Sequence, residues 1–312
     1  MFVVENLIRN ASSEKETLSI LVINEGFDDY ILSLAERMNH KFYLINGIAP
    51  GITQWSLQES ASNIYLYNSI DALPEKHMDV ILCFNRGKTF DIANQISNQL
   101  HVPLIVVDFC ESNKLLPLPL TATINIPDQE RAAYYYKNGD ASVGVDNTVK
   151  RSWVGQVPSL SFEIPYPFSP FNEGGQRNKI LIDTKMPTEF LNTLNLQGNP
   201  YVTQDPNEAF VYVHLWQVKT PLLYKCMSSK IPAIVFDREG FADLLNQKLC
   251  ILGDNHIGIF SADSYQRLVQ HEHLGELANQ AYEFMSKNTL EDFSSKWNNI
   301  FNHVCNKTLL RG

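Results

Sequence analysis

The sequence has no long apolar run, and strings such as Leu18 to Ile23 fall far below the roughly 20 residues that a membrane-spanning helix needs. Its first residues, MFVVENLIRNASSEKE, do not place a basic start before an apolar core, as a secretory signal peptide would. Low-complexity tracts and internal repeats are also missing from the sequence. We therefore expect a folded cytoplasmic protein without a membrane span.

Cysteine is rare and irregularly spaced, with five residues and no Cys-x-x-Cys pair. This pattern favours buried reduced thiols over a catalytic nucleophile or a metal site. Basic residues are outnumbered, since 25 Lys and Arg against 34 Asp and Glu give a formal net charge of -9. The balance argues against a broad nucleic-acid-binding surface, although it leaves room for a local basic cleft.

The chain does contain an alternation of short apolar runs with helical segments, and its 312 residues are enough for two hydrophobic cores. Helices are predicted from about Phe27 to Met38 and from about Thr89 to Leu100. Buried strands and helices in alternation indicate a parallel, doubly wound sheet. The predicted strands of the first half are Leu18–Asn24, Lys41–Asn46, Asn63–Tyr67, Met78–Phe84, Pro103–Phe109, Ala141–Val145 and Leu160–Ile164.

A linker interrupts this pattern at Pro165 to Arg177, PYPFSPFNEGGQR, which has three prolines and a Gly-Gly pair. Beyond it strands and helices start again, beginning with a strand at Lys179 to Asp183. The terminal helix, Leu290 to Cys305, has an apolar face that must dock on another element. We therefore predict an N-terminal domain of residues 1–166, against which helix 288–305 packs back, and a C-terminal domain of residues 167–287, the two facing a cleft.

The stretch from Ala209 to Leu245 concentrates polar residues at one end of the second predicted sheet. A buried strand is followed by a loop and then by Thr220, placed to cap a helix, and Pro221, suited to the first helical turn. A helix that begins at the carboxyl edge of a parallel sheet can bind phosphate. His214 and Trp216 lie in the same loop, either as buried packing or as contacts to a diphosphate, a base or a sugar.

Polar residues also follow two strands of the first half. Asn85-Arg86-Gly87-Lys88 comes after one strand, and Asp108 to Glu111 ends the next. They serve either loop solvation and helix capping or ligand binding at the sheet edge.

These features occur in an order that resembles the retaining glycosyltransferases of the GT-B fold, close to the family 4 group and especially its short phage-encoded members. The signature lies in Ala209 to Phe260, where a helix ends in Met227-Ser228-Ser229-Lys230-Ile231-Pro232 and Gly253-Asp254-Asn255-His256-Ile257-Gly258-Ile259 follows. In that family, the corresponding sequence motifs are Ala-Met-Ala-x-Gly-x-Pro and a later turn of Asn, Gly and a hydrophobic residue. Phe84-Asn85-Arg86 and Val102 to Ile105 fall in family-like order in the first half.

The resemblance implies an α/β protein with two Rossmann-like doubly wound domains in a GT-B-like arrangement. It implies a nucleotide-diphosphate sugar, most simply UDP-linked, on the C-terminal domain, an acceptor on the N-terminal domain, and no cofactor or metal. No Asp-x-Asp occurs in the sequence. The residues implied for the donor are Thr220, Lys225, Glu239, His214, Trp216 and Arg177, those for the acceptor are Asn85, Arg86 and Lys88, and those for catalysis are Gln217 and Lys185.

The sequence departs from the family where two glutamates, eight residues apart, are usual. Counting back from Pro232, these positions hold Gln217 and Lys225. Gln217 can hydrogen-bond a sugar hydroxyl but carries no negative charge, and Lys225 suits a phosphate or an acidic sugar rather than a ribose. Glu239 either replaces the missing ribose contact or is an acid at a helix N-terminus.

Several functions stay open at the level of the sequence. One acceptor is a hydroxymethylated pyrimidine in phage DNA, reached in the host cytoplasm, and the other class is a cell-surface glycan or a protein. The replacement of the two family glutamates by Gln217 and Lys225 favours a non-catalytic GT-B-like binding module. A sugar-nucleotide epimerase of the same fold is a further alternative. The basic residues available to a DNA cleft are Arg86, Lys88, Lys114, Arg131, Lys150 and Arg151.

Overall fold

The computed structural model describes residues 17–23, 28–45, 62–73, 78–84, 88–108, 139–144, 160–172, 175–183, 186, 188–194, 196, 198–216 and 219–309. These residues divide into two compact units, with boundaries at Pro165–Tyr166 and Thr289–Leu290. The first unit contains the described residues up to 165 together with those from 290 onward. Residues 166–289 form the second unit. The assignment of acceptor binding to one unit and donor binding to the other stays a prediction.

The described part of the first unit contains a seven-stranded parallel sheet with the strand order β3-β2-β1-β4-β5-β6-β7. Its central strands β1 and β4 are buried at every residue, as expected for apolar strands covered on both faces. The strands are β1 Ser19–Ile23, β2 Lys41–Ile45, β3 Ile64–Tyr67, β4 Val80–Phe84, β5 Leu104–Asp108, β6 Ala141–Gly144 and β7 Leu160–Glu163. The helices are α1 Asp28–Ala35 and α2 Lys88–Leu100, with a 3-10 turn at Ile70–Ala72.

The second unit contains a smaller sheet, in which the described residues form five parallel strands in the order β12-β11-β10-β8-β9. The strands are β8 Lys179–Leu181, β9 Val202–Thr203, β10 Ala209–Val213, β11 Ala233–Val235 and β12 Ile251–Leu252. The helices are α3 Thr188–Thr193, α4 Pro221–Ser228, α5 Ala242–Asn246, α6 Ala262–Val269 and α7 Leu274–Met285, with 3-10 turns at Pro206–Glu208 and Gly258–Phe260.

In both sheets, the order in which successive strands are added reverses at one point. In the first sheet the chain moves outward on one side through β1, β2 and β3 and then crosses to β4; in the second it moves from β8 to β9 and then crosses to β10. Ligands of open α/β sheets bind outside the carboxyl ends of the strands at such a topological switch point. The fold therefore draws attention to the ends of β1 and β4 in the first unit and of β8 and β10 in the second.

The terminal helix α8, Leu290–Leu309, belongs to the first unit. Its apolar face is buried through Phe293, Trp297, Ile300, Phe301 and Val304. Trp297 Nε1 donates a hydrogen bond to the Tyr30 hydroxyl of α1 at 3.0 Å. The prediction that the C-terminal helix docks back on the N-terminal domain is confirmed, and the predicted doubly wound sheets are confirmed with it.

Among the described residues, no helix is both long enough and apolar enough to cross a lipid bilayer.

Candidate functional site

A buried polar cluster lies at the switch point of the second sheet. Asp183 follows β8, whereas Trp216 follows β10, and Trp216 Nε1 donates a hydrogen bond to Asp183 Oδ2 at 2.9 Å. Asp183 is only 6% exposed and Trp216 only 9% exposed. A hydrogen bond to a charged acceptor is among the stronger ones in proteins, so it fixes the two strand ends relative to each other.

A second buried contact lies at the end of β10. The Tyr212 hydroxyl and His214 Nδ1 are 3.0 Å apart, and both side chains are fully buried. The His214 ring also meets the Phe241 ring edge to face, with centroids 5.0 Å apart. Burial raises the pKa of Tyr212 well above its usual value, and the negative charge of Asp183 adds to this effect. The phenol therefore stays protonated at physiological pH.

Helix α4 begins beside these residues. Thr220 occupies the N-cap position with extended backbone angles, and Pro221 takes the first helical position, as predicted. The Thr220 side chain, however, makes no capping bond to the helix. Its buried hydroxyl has no hydrogen-bond partner of good geometry among the described residues, although the Tyr212 hydroxyl lies near it. The first amides of α4 therefore lack the side-chain acceptor that a threonine cap usually supplies.

A buried ion pair borders the same helix start. Lys219 directly precedes Thr220 and is 3% exposed. Its Nζ lies 2.8 Å from Asp243 Oδ1 and 2.9 Å from Asp243 Oδ2. Burial and, to a smaller extent, the charge of Asp243 raise the pKa of the nearby Cys250 thiol to about 12, although Lys219 acts in the opposite direction. The ion pair connects the loop after β10 to the first turn of α5.

Two of the predicted donor residues lie at the other end of α4. Lys225 is in its last turn, with Nζ 5.0 Å from the centroid of the Phe171 ring. Arg177 donates from its guanidinium to the Ser229 carbonyl, at 3.2 Å. At about 1.5 Å per residue, Lys225 lies about 7.5 Å along the helix axis from Thr220, whereas Arg177 contacts Ser229, beyond the last residue of the helix. Here they are placed to stabilise the negative end of the helix dipole.

Glu239 is exposed and lies in a turn that precedes α5. Its amide and that of Gly240 both donate to Asp237 Oδ1 at 3.1 Å. The structure therefore brings together Thr220, His214 and Trp216 at the start of α4, whereas Arg177 and Lys225 lie toward its other end. Four predicted site residues lie outside the described residues, namely Gln217, Lys185, Asn85 and Arg86, and so does the side chain of Lys88, the first residue of α2.

Four members of the cluster were not among the residues predicted from the sequence: Asp183, Tyr212, Lys219 and Asp243. Asp183 had a local signal, since it is the polar residue that ends the apolar run of β8. The pairing of Lys219 with Asp243 spans 24 positions and two separate elements. No local pattern indicates such a contact.

Among the described residues, no group of three or more His, Cys, Asp or Glu side chains is placed to hold a metal ion. The expectation of a metal-independent reaction stays a prediction.

No protein-family model and no curated protein sequence matches this chain. Solved structures do match it. HepE from Anabaena, in complex with UDP-glucose, has a TM-score of 0.60 at 10% identity over 92% of this chain and 100% of that one. Arabidopsis thaliana UGT89C1, complexed with UDP, has a TM-score of 0.56 at 8% identity over 93% of this chain and 100% of that one.

A candidate UDP-N-acetylglucosamine 2-epimerase from Listeria monocytogenes is similar to the same extent, with a TM-score of 0.57 at 8% identity over 93% of this chain and 98% of that one. At such low identity the likeness concerns the fold. Together with the two parallel sheets, it confirms the predicted GT-B-like fold with two Rossmann-type domains.

Proposed function

We propose that this protein is a glycosyltransferase that moves a sugar from a nucleotide-diphosphate sugar to an acceptor hydroxyl. The observation that supports it best is the polar cluster at the switch point of the second sheet, where the Asp183–Trp216 hydrogen bond lies beside the start of α4. That position is where nucleotides bind in doubly wound folds. The fold is also that of HepE, which has been seen with UDP-glucose.

The donor diphosphate is proposed to bind at the N-terminus of α4. Helix amides carry partial positive charge there, and the Thr220 side chain does not cap them. The buried Thr220 hydroxyl supplies one further polar group at the same place. Lys185, which follows β8 in the sequence, is the proposed cation for the leaving diphosphate in a metal-independent reaction. The most suitable donor class is UDP-linked.

The reaction is proposed to retain the anomeric configuration, in the manner implied by the resemblance to family 4. The leaving phosphate oxygen then takes the proton of the acceptor hydroxyl, and Gln217 hydrogen-bonds a hydroxyl of the donor sugar. Because Gln217 is uncharged, it does not supply the negative charge that an acidic residue offers to an oxocarbenium-like transition state. We therefore expect slow turnover.

The acceptor is proposed to bind to the first unit through Asn85, Arg86 and Lys88. These residues follow β4, one of the two strands at the switch point of the first sheet. A hydroxymethylated pyrimidine in phage DNA fits a local basic site in an otherwise acidic protein, and it places the enzyme in the cytoplasm of the host. A cell-surface glycan or a protein is the other acceptor class.

An epimerase is the second candidate function, because a candidate UDP-N-acetylglucosamine 2-epimerase shares the fold. A GT-B-like binding module without catalysis is the third, and the replacement of two family glutamates by Gln217 and Lys225 favours it. These functions differ in products: a transferase releases nucleoside diphosphate and needs an acceptor, an epimerase converts the donor alone, and a binding module does neither.

The decisive experiment incubates the protein with a panel of nucleotide sugars, with and without hydroxymethylated DNA, and identifies the products by mass. Acceptor-dependent release of nucleoside diphosphate is expected, whereas binding without turnover of every donor would contradict a transferase. Thr220→Pro and Lys185→Glu are expected to weaken donor binding while thermal unfolding stays cooperative. Unchanged donor affinity in both variants would exclude the proposed diphosphate site.

A further inference from the structure

The function proposed above gives the Lys219–Asp243 ion pair no role, yet this pair is more deeply buried than the Lys179–Glu208 pair of the same unit. Lys219 is 3% exposed and Asp243 is 29% exposed. In the Lys179–Glu208 pair of the same unit, the corresponding values are 34% and 41%. Both pairs have a short nitrogen–oxygen distance, 2.8 Å and 3.0 Å. They differ in burial and in their place on the sheet.

Burying an ammonium group costs several kcal/mol of hydration free energy, and its ion pair regains little more than that. An apolar pair of similar volume is therefore as stable or more stable at such a position. Stability alone does not account for a charged pair at Lys219 and Asp243. What a buried pair does supply is a fixed geometry, because each charge has to stay next to the other.

The geometry that the pair fixes is that of the start of α4. Lys219 is the residue before the N-cap Thr220, so the position of its Cα sets the direction in which the first amides of α4 point. Asp243 lies in the first turn of α5, which follows β11. The ion pair thus joins the chain leaving β10 to the chain leaving β11 at the carboxyl edge of the sheet. The Lys179–Glu208 pair instead lies where β8 begins, at the opposite edge.

We propose that Lys219 and Asp243 are positioning residues for a nucleoside diphosphate bound at the N-terminus of α4. This inference rests on the proposed function, since it assumes that the diphosphate binds there. The pair does not touch the ligand. It holds Thr220 and the first amides of α4 in the arrangement that binds phosphate, so that little ordering of the loop has to occur on binding.

The test replaces the ion pair without leaving a lone charge. Lys219→Met with Asp243→Leu removes both charges at similar volume, and its melting temperature is expected to equal or exceed that of the wild type. Calorimetry first measures the binding of UDP, ADP, GDP and dTDP to the wild type. The diphosphate that binds most tightly, and the corresponding nucleoside, are then titrated into both the wild type and the variant. Diphosphate affinity is expected to fall about tenfold, whereas nucleoside affinity, which involves no phosphate contact, stays unchanged.

Lys179→Met with Glu208→Leu is the matched control, because it removes an ion pair of the same unit at the other edge of the sheet. Its diphosphate affinity is expected to equal that of the wild type. The single variant Lys219→Met leaves the Asp243 carboxylate without its cation, so its melting temperature is expected to fall.

The possible outcomes distinguish a failure of the proposed function from a failure of the inference about the ion pair. If the wild type binds none of the four diphosphates, both the proposed function and this inference are overturned. If the wild type binds one of them and the Lys219→Met, Asp243→Leu variant binds it equally well, only the inference is overturned. An equal loss of diphosphate and nucleoside affinity, or an equal loss in the control variant, would show a general structural effect and would also overturn it.

Discussion

The two tryptophans within the described residues are both buried and both donate a hydrogen bond from Nε1, but to acceptors of different kinds. Trp297 on α8 donates to the neutral hydroxyl of Tyr30, at 3.0 Å. Trp216, after β10, donates to the carboxylate of Asp183, at 2.9 Å. Trp297 is 0% exposed, while Trp216 is 9% exposed at the carboxyl edge of its sheet.

The surroundings of the two tryptophan hydrogen bonds also differ. Tyr30 is packed edge to face against Phe84, Phe293 and Trp297, so its hydrogen bond completes an aromatic core. Burial raises the pKa of Tyr30 far above its usual range, which keeps the phenol neutral. Asp183 instead places a carboxylate at a switch point. The first arrangement serves the docking of the terminal helix, and the second puts charge where a ligand is expected to bind.

The largest expected effect follows from removing the Trp297 ring. Trp297→Ala creates a cavity beneath α8 and is expected to lower the free energy of unfolding by about 3–5 kcal/mol. Urea unfolding followed by circular dichroism measures this change. Val269→Ala on α6 is the control, because Val269 is 53% exposed and its truncation is expected to change stability by less than about 0.5 kcal/mol. A loss below 1 kcal/mol for Trp297→Ala would mean that α8 does not depend on this side chain.

Two double-mutant cycles compare the hydrogen bonds directly. The cycle of Trp216→Phe with Asp183→Asn is expected to give a coupling energy of about 1.5–3 kcal/mol, because the acceptor is charged. The cycle of Trp297→Phe with Tyr30→Phe is expected to give about 0.5–1.5 kcal/mol, the range of neutral pairs. Urea titration of the wild type, the four single variants and the two double variants supplies the free energies of unfolding. Equal coupling energies would remove the distinction between the two sites.

The smallest expected effect is a pH dependence in the contacts of α8. His40 Nδ1 accepts a hydrogen bond from the Leu18 amide at 3.2 Å, and His40 Nε2 lies 3.0 Å from Asn298 Oδ1 on α8. Burial lowers the pKa of His40, and this outweighs the opposing effects of Asn298 and of the nearby Asp79 charge. Folding therefore favours the neutral imidazole.

The sign of the effect follows from this lowered pKa. The contribution of His40 to stability is fully present above the unfolded pKa of about 6.5 and is lost as the pH falls from there through the folded pKa. Unfolding free energies of the wild type and of His40→Gln, measured between pH 5 and pH 8, are expected to differ less at the acidic end. His303→Gln, at an exposed position of α8, is the matched variant with which the His40→Gln profile is compared. A difference between wild type and His40→Gln that grows toward low pH would contradict the assignment.

The order of strands and helices was predictable from the sequence because it depends on local patterns. The run Leu18 to Ile23 is apolar enough to be a buried strand anywhere, and β1 is found at Ser19–Ile23. Thr220 and Pro221 predicted where α4 begins, and it begins there. The capping bond that a threonine at this position predicts is not formed, because the buried Thr220 hydroxyl accepts no hydrogen bond from the helix amides.

The polar cluster was predictable only in part, for a related reason. His214 and Trp216 stood out because they interrupt an apolar pattern, and both lie at the carboxyl edge of the sheet. Arg177 and Lys225 were assigned to the same ligand, yet they lie at the far end of α4. The sequence shows how many residues separate two positions. The direction in which the helix runs in the fold decides which of its two ends a side chain lies near.

By itself, the sequence determined two parallel α/β domains and an apolar terminal helix, because hydrophobic periodicity and Pro/Gly punctuation act within a few residues. Only the tertiary structure decided which side chains meet. Asp183 and Trp216 are 33 positions apart, Lys219 and Asp243 are 24 apart, and Tyr30 and Trp297 are 267 apart. Each pair forms because strand order and helix packing bring separate segments together, and no local pattern records that order.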